Sequence, residues 1–468
     1  MRICQLLFLG VFGILVIITS GCEKELNDNP GEVQNLVVIS DTLNLLTARI
    51  RFELDGGGEI VVECEPASGP QSLPIAINKR KTDNRYSFDI LGLNENTRYV
   101  FRILRNGPSA QEVLHEGSFT TAGIPLWIRN FLPDASQRLN IEGYILLNTF
   151  ALPAAITGVP VQAFPPSALL VIDPSGRLIL GRVSTSRIST VRFTQRGTFL
   201  SMHSDFPGTS GSNHILETSL AGDTLLHLVY GQRGFDRMVH HDMVLTDDHQ
   251  ILAITESMVG GRKVDGLMQL DRSGNKIWQW DTSEIVPVTN EPYFQPWGNS
   301  ITFDYDGHIL VSFRNLHQVW KLHKDTRQVI WRLGKNGTIP LTGNDMFLTQ
   351  HMPQFIAPNR LMLFDNGQDV HFRISVSPEH RPFSRIAFIE FNAGQTQVVS
   401  SSFFNLPPKY FSWAMGSVTF LGNSYLVGSS WPGYILHLDQ SGNIIGELKF
   451  GDHFYRAVPM PDILNRTL

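Results

Sequence analysis

Cysteine is nearly absent from this chain. Three occur in 468 residues, and Cys4 and Cys22 sit in or just after an apolar N-terminal run, which leaves Cys64 alone in the body. A body with one thiol forms no internal disulfide. Cys64 falls in the apolar stretch IVVECEP and reads as a buried, inert thiol. Charge is also sparse. Charged residues make up 17% and the net charge is −5, with no basic block, which argues against nucleic acid as a partner. From Ile124 onward there is no helical periodicity of useful length, no phosphate-cradling glycine loop and no serine nucleophile elbow. The residues in supply are Gly (40), Pro (26) and Phe (29), with 42% hydrophobic residues overall. That balance predicts a turn-rich, all-β chain with a sizeable core, longer than one ordinary domain.

The long hydrophobic run, LLFLGVFGILVII, follows Arg2 and precedes Thr19-Ser20-Gly21-Cys22. This order is that of a signal peptide with a small-residue cleavage site, which fits better than a short uncleaved anchor helix. The four residues resemble a bacterial lipobox, with Thr19 where leucine is commonest, and so imply a lipid on Cys22. Residues 1–22 are expected to be a lipoprotein signal peptide and 23–29 a polar tether. The protein would sit in the cell envelope, lipid-anchored to the outer membrane on its periplasmic or outer face, with the lipid as its membrane contact.

Residues 30–121 alternate apolar and polar in VQNLVVI, ARIRFEL and EIVVECE, with turns between them. The run LNENTRYVF resembles the tyrosine corner of fibronectin/Ig-like β-sandwiches, with Tyr99 at the corner. A spacer or docking module is the expected role. Residues 122–468 instead repeat short strands around turns such as DPSG, DRSG, DYDG and DQSG. Two kinds of hairpin alternate, one apolar and one amphipathic. A pair of hairpins is the size of one propeller blade, so the pattern predicts a six-bladed β-propeller. Trp278, Trp280, Trp320 and Trp331 read as packing between blades, His317 and His323 as outer-strand residues, and Phe235 as a residue of the channel rim.

Within the repeats, His241, Asn299 and His351 each stand ten residues before an apolar strand position, namely Ile251, Ile309 and Leu361. Equal offsets predict equivalent places on the strands that face the central channel. Arg314 follows among apolar neighbours and calls for an anion to pair with. Two imidazoles, a guanidinium and an amide suit transfer of a tetrahedral anion. One neutral imidazole would be the nucleophile, the Arg and Asn would hold oxygens, and the second imidazole would handle a proton. A metal site built on the histidines with Asp242 is the weaker reading, because the histidines lie on separate repeats.

The set HHD, NSI followed by DGHILVS and RN, IWRLG, QH and LMLFDNG resembles the bacterial arylsulfate sulfotransferases that use no nucleotide sulfate donor. The resemblance covers the repeats from about residue 124 to the end. It implies a ping-pong transfer of a sulfuryl group from an aryl sulfate to a phenol through a sulfohistidine, with no metal and no cofactor. The nucleophile falls on His351, the HHD histidine on His241 beside His240, the sulfuryl-binding pair on Asn299 and Arg314, and a weaker match in the last repeat on Ser417. A homodimer is compatible with this reading. Two positions depart from the family pattern: Trp297 stands where the family has a histidine, and Met352 where it has an aspartate. Trp297 cannot take a proton but can stack on an aromatic ring. Its presence keeps a second expectation open, a non-catalytic surface propeller lipoprotein that binds an anionic or aromatic ligand.

Overall fold

The computed structural model describes residues 31–56, 58–107, 110–134, 138–149, 167–204, 213–288, 295–368 and 380–464. The expected signal peptide, Cys22 and tether lie outside them. The described chain is nearly all β, in antiparallel sheets, with one α-helix of six residues, Leu126–Phe131. No helix among the described residues is long and apolar enough to cross a membrane.

Two sheets form the N-terminal part. One runs Gln34–Ile39, Thr47–Glu53, Arg85–Leu91, Ala76–Thr82, and the other Glu59–Pro66, Arg98–Asn106, Gln111–Thr120. Alternation buries Ile60 and Val62 on one strand and Phe101 and Ile103 on the next, and these meet Ile50, Phe52, Phe88 and Ile90 of the other sheet in a single core. Tyr99 is fully buried; its hydroxyl accepts from the Asn94 backbone N–H at 2.8 Å and donates to the Gln71 side chain. Cys64 is half-buried where full burial was expected; burial, then the charge of Glu65, pushes its thiol up to about 12, so it stays protonated.

Specific contacts join this N-terminal part to the repeats. Asn44–Leu45, inside this N-terminal part, pairs antiparallel with Leu178–Ser184 of the repeats. Asp223, at a turn of the repeats, receives Arg49, Arg51 and Arg80. Gly222 beside it has φ 94, and a Cβ there would meet the Asn44 side chain at 2.1 Å. Backbone pairing, an ion cluster and a side-chain-free contact fix the two parts together.

From Tyr144 the described residues make six sheets in sequence. The first combines Tyr144–Thr149, Ser167–Ile172 and Leu178–Ser184 with Phe454–Met460 from the end of the chain. The next five begin with Arg187–Phe193, Met238–Leu245, Gly298–Phe303, His351–Ala357 and Ser417–Phe420. These leading strands touch in order, and Phe454–Met460 touches both Ser417–Phe420 and Arg187–Phe193, so the arrangement is a closed, propeller-like ring. The turns that were legible in sequence have a local cause. The Asp271 carboxylate accepts from the backbone N–H groups of Ser273 and Asn275 at 2.8 Å each, and Gly274 supplies φ 85. Asp439, Ser441, Gly442 and Asn443 repeat this arrangement.

Apolar faces of neighbouring sheets make the core. Trp320 is fully buried, edge-on to Phe313 and Trp280 with centroids 4.9 and 5.8 Å away, and its indole N–H donates to Gln318. Burying a side chain of this kind contributes about 1.5–3 kcal/mol. Trp280 and Trp331 are buried in the same way. Phe235 is 1% exposed, packed with Leu228, Val239 and Met243 between the second and third sheets, and is not part of a channel rim.

Candidate active site

The ten-residue spacing has a structural meaning. Leu245, Phe303 and Phe355 pair with Ile251, Ile309 and Leu361, so His241, Asn299 and His351 stand equally far from their hairpins on the leading strands of three consecutive sheets. Each strand is irregular at this point. The register shifts between Val239 and Met243, between Gly298 and Ser300, and between His351 and Gln354. His241, Trp297 and Met352 take left-handed φ values of 59, 59 and 48. Such bulges re-aim side chains out of the usual alternation. The left-handed backbone of a non-glycine residue costs about 1–3 kcal/mol, which the packed ring must offset.

His351 is 4% exposed. Its Nδ1 lies 3.0 Å from the Thr349 carbonyl and 2.8 Å from Asn366 Oδ1. Both partners are acceptors. The Asn366 amide cannot be turned round, because its Nδ2 donates to the carbonyls of Ser412 and Met415 at 2.7 Å each. The His351 proton therefore sits on Nδ1 and the lone pair on Nε2. Gln350 anchors this strand to the previous sheet: its Nε2 donates to Ser312 Oγ and to the carbonyls of Phe313 and Gln318. His317, expected on an outer strand, is instead buried and left-handed, and its Nδ1 accepts from the Thr349 N–H at 2.9 Å.

His241 was expected to serve as acid or base toward substrate, and its surroundings do not allow it. The Trp297 indole N–H donates to His241 Nε2 at 2.7 Å. A neutral His241 must then carry its proton on Nδ1, which faces His240 Nδ1 at 2.7 Å. His240 accepts there, so its own proton is on Nε2, 3.3 Å from Asp265 Oδ1 and off the line of a good hydrogen bond. Trp297, His241 and His240 thus form one hydrogen-bonded chain, with His240 at its far end beside Asp265.

Asp242 of the HHD motif is fully buried. It accepts from Arg192 Nε and Nη2 at 3.1 and 2.5 Å, Arg456 Nη1 at 3.0 Å and the Ile301 N–H at 3.0 Å. Its lone pairs are spent on tying sheets together. Asn299 also differs from expectation. Its Nδ2 donates to the Gln350 carbonyl at 2.7 Å, while Oδ1 is buried without a hydrogen bond. With its donor spent on Gln350, the amide has no N–H left in a position to hold a sulfuryl oxygen. Ser417 is no ligand group either, since its hydroxyl donates to the Ala457 carbonyl and accepts from the Ala457 N–H. Arg314 is 6% exposed, at the end of Ile309–Phe313, with Nη1 donating to Asn315 Oδ1 at 2.8 Å. Its charge acts on both His241 and His351. The sequence reading passed over Asn366, Gln350, Arg187, Tyr455 and Arg456. The Tyr455 hydroxyl and Arg456 Nη2 both donate to the Asn299 carbonyl, at 3.3 and 3.2 Å.

Burial, aided by the charges of Arg314 and Arg456, pushes the His351 imidazole down to about 3 against the pull of Asn366 and Thr349. Burial and then His240, His351, Arg187 and Arg314 hold His241 well below its usual range. Burial, then His214, brings His203 to about 3. Between about pH 6.5 and 3, His351 and His203 bind protons when unfolded but not when folded, so stability falls as pH falls through that window. Urea denaturation at pH 4.5 should show a loss of roughly 2–3 kcal/mol for each of these two histidines relative to pH 7.5. Equal midpoints at the two pH values would mean that these rings are charged in the folded protein.

The centre thus holds one imidazole with a directed lone pair, in a cationic, water-poor surround. That set can attack an electrophile carrying negative oxygens and stabilise the charge it sheds. Residues 165–453 match the arylsulfotransferase (ASST) family. No curated protein matches the chain. Solved structures similar to it include a protein of unknown function from Bacteroides caccae, at 11% identity and TM-score 0.42, covering 68% of this chain and 99% of that one. Another is virginiamycin B lyase from Staphylococcus aureus, at 10% identity and TM-score 0.36, covering 79% and 96%. With the family match spanning more than half of its length, the chain belongs to the arylsulfotransferase family.

Proposed function

We propose that this protein moves a sulfuryl group from an aryl sulfate to a phenol in two steps, with His351 carrying the group between them. The observation that carries the proposal is the fixed tautomer of His351: Nδ1–H held by Asn366 and Thr349, Nε2 left as the lone pair. A buried imidazole held neutral is a nucleophile at any ordinary pH without a metal. Arg314 and Arg456 supply positive charge beside it. The wider reading places this site on the axis of a six-bladed propeller, behind a fibronectin-like domain, in a lipoprotein anchored through Cys22 to the outer membrane. The experiment is incubation with 4-nitrophenyl sulfate, followed by mass spectrometry of intact protein and peptides. One added sulfuryl group on the peptide bearing His351, lost on adding a phenol, is the expected result. Ligand binding with no adduct and no nitrophenol release would leave a non-catalytic anion-binding protein.

A further inference from the structure

We propose that Trp297 makes this protein selective for acidic phenols, both as leaving groups of the donor and as acceptors, by taking up the lone pair of His241, the imidazole that shares the centre with His351. The inference rests on the sulfuryl-transfer reading above and specifies its substrate class. His241 has a single lone pair, on Nε2, and the Trp297 indole N–H occupies it at 2.7 Å. That donor does not ionise, so it neither releases a proton to a leaving oxygen nor lets His241 take one from an acceptor. The other His241 nitrogen is committed to His240, which leads away to Asp265.

Among the described residues no other group at the centre replaces it. The Tyr455 hydroxyl donates to the Asn299 carbonyl, and burial raises its ionisation above the usual tyrosine range. Arg187, Arg314 and Arg456 do not release protons. His317 Nδ1 accepts from the Thr349 N–H. Asn299 Oδ1 is an amide oxygen and does not become protonated. His351 is the nucleophile.

The transfer then involves no proton. In the first step the Nε2 lone pair of His351 forms the N–S bond, the aryl O–S bond breaks, and its electron pair leaves on a phenolate. The sulfo-imidazolium keeps its Nδ1 proton on Asn366. In the second step an acceptor arrives already as phenolate, its oxygen forms the new O–S bond, and the N–S pair returns to Nε2. A leaving oxygen that bears its full charge makes the rate follow phenol acidity by roughly tenfold per pKa unit.

The test is kcat/KM for a series of aryl sulfates whose phenols span pKa about 7 to about 10, which should fall about 10³-fold in the wild type. Trp297→Phe removes the indole N–H and lets the His240–His241 pair reverse its tautomers, so that His241 Nε2–H donates to the leaving oxygen or its lone pair takes the acceptor's proton, and should shrink the span to about tenfold. In parallel, ¹⁵N NMR of the wild type should show His241 protonated on Nδ1 with Nε2 accepting. A wild-type span of tenfold or less, an unchanged span in Trp297→Phe, or a His241 protonated on Nε2 would each overturn the inference. Failure of every donor to transfer would overturn the sulfotransferase reading itself, and the NMR would still report separately on the Trp297–His241 lock.

Discussion

Replacing His351 with alanine should lower kcat/KM for sulfuryl transfer by about 10⁴-fold or more, since the group proposed to form the bond to sulfur is gone. Among the described residues no second imidazole stands ready. The His241 lone pair is held by Trp297, and His240 is turned toward Asp265. Asn366→Leu should fall between, at about 10²-fold, because the Asn366 acceptor that fixes the ring is lost while the Thr349 carbonyl still takes the Nδ1 proton. The measurement is steady-state release of 4-nitrophenol with circular dichroism to confirm folding. A folded His351→Ala protein that retained a tenth of wild-type activity would remove His351 from the mechanism.

The parts of this architecture that were legible in sequence are those with a local cause. Turn aspartates that cap their own backbone, with a left-handed glycine at the third place, mark the hairpins wherever they occur. Because sheets repeat, equal spacing from hairpin to polar residue carried real information about His241, Asn299 and His351. What spacing does not encode is the direction of a side chain at a bulge. Asn299 therefore sits where expected but offers an acceptor, and His241 is bonded at both nitrogens. Arg456 and Tyr455 escaped notice because they reach the centre only when the last strand closes the ring, and nothing near them in sequence signals that partnership. Asn366 was visible only as part of the FDNG string. Its role follows from two carbonyls about fifty residues further on.

That closing strand makes Asp242 the point where removal should cost the most stability. Its carboxylate binds Arg192 from the second sheet, Arg456 from the final strand and the Ile301 N–H from the fourth sheet. Buried pairs of this kind add little net stability compared with an apolar substitute, because both charges were taken out of water to form them. Deleting one partner is a different matter. Asp242→Ala leaves Arg456, 3% exposed, as a buried cation without its carboxylate and strands a buried backbone donor. The expected loss is about 3–5 kcal/mol in urea denaturation. Arg456 also holds the Asn299 carbonyl and acts on His351, so activity should fall along with stability. The two effects separate in the double variant. Arg456→Met added to Asp242→Ala removes the orphaned charge and should restore stability by at least about 1 kcal/mol without restoring transfer. A single Asp242→Ala variant that lost less than about 1 kcal/mol would mean that the closure rests on strand pairing between Phe454–Met460 and Tyr144–Thr149 and not on this carboxylate.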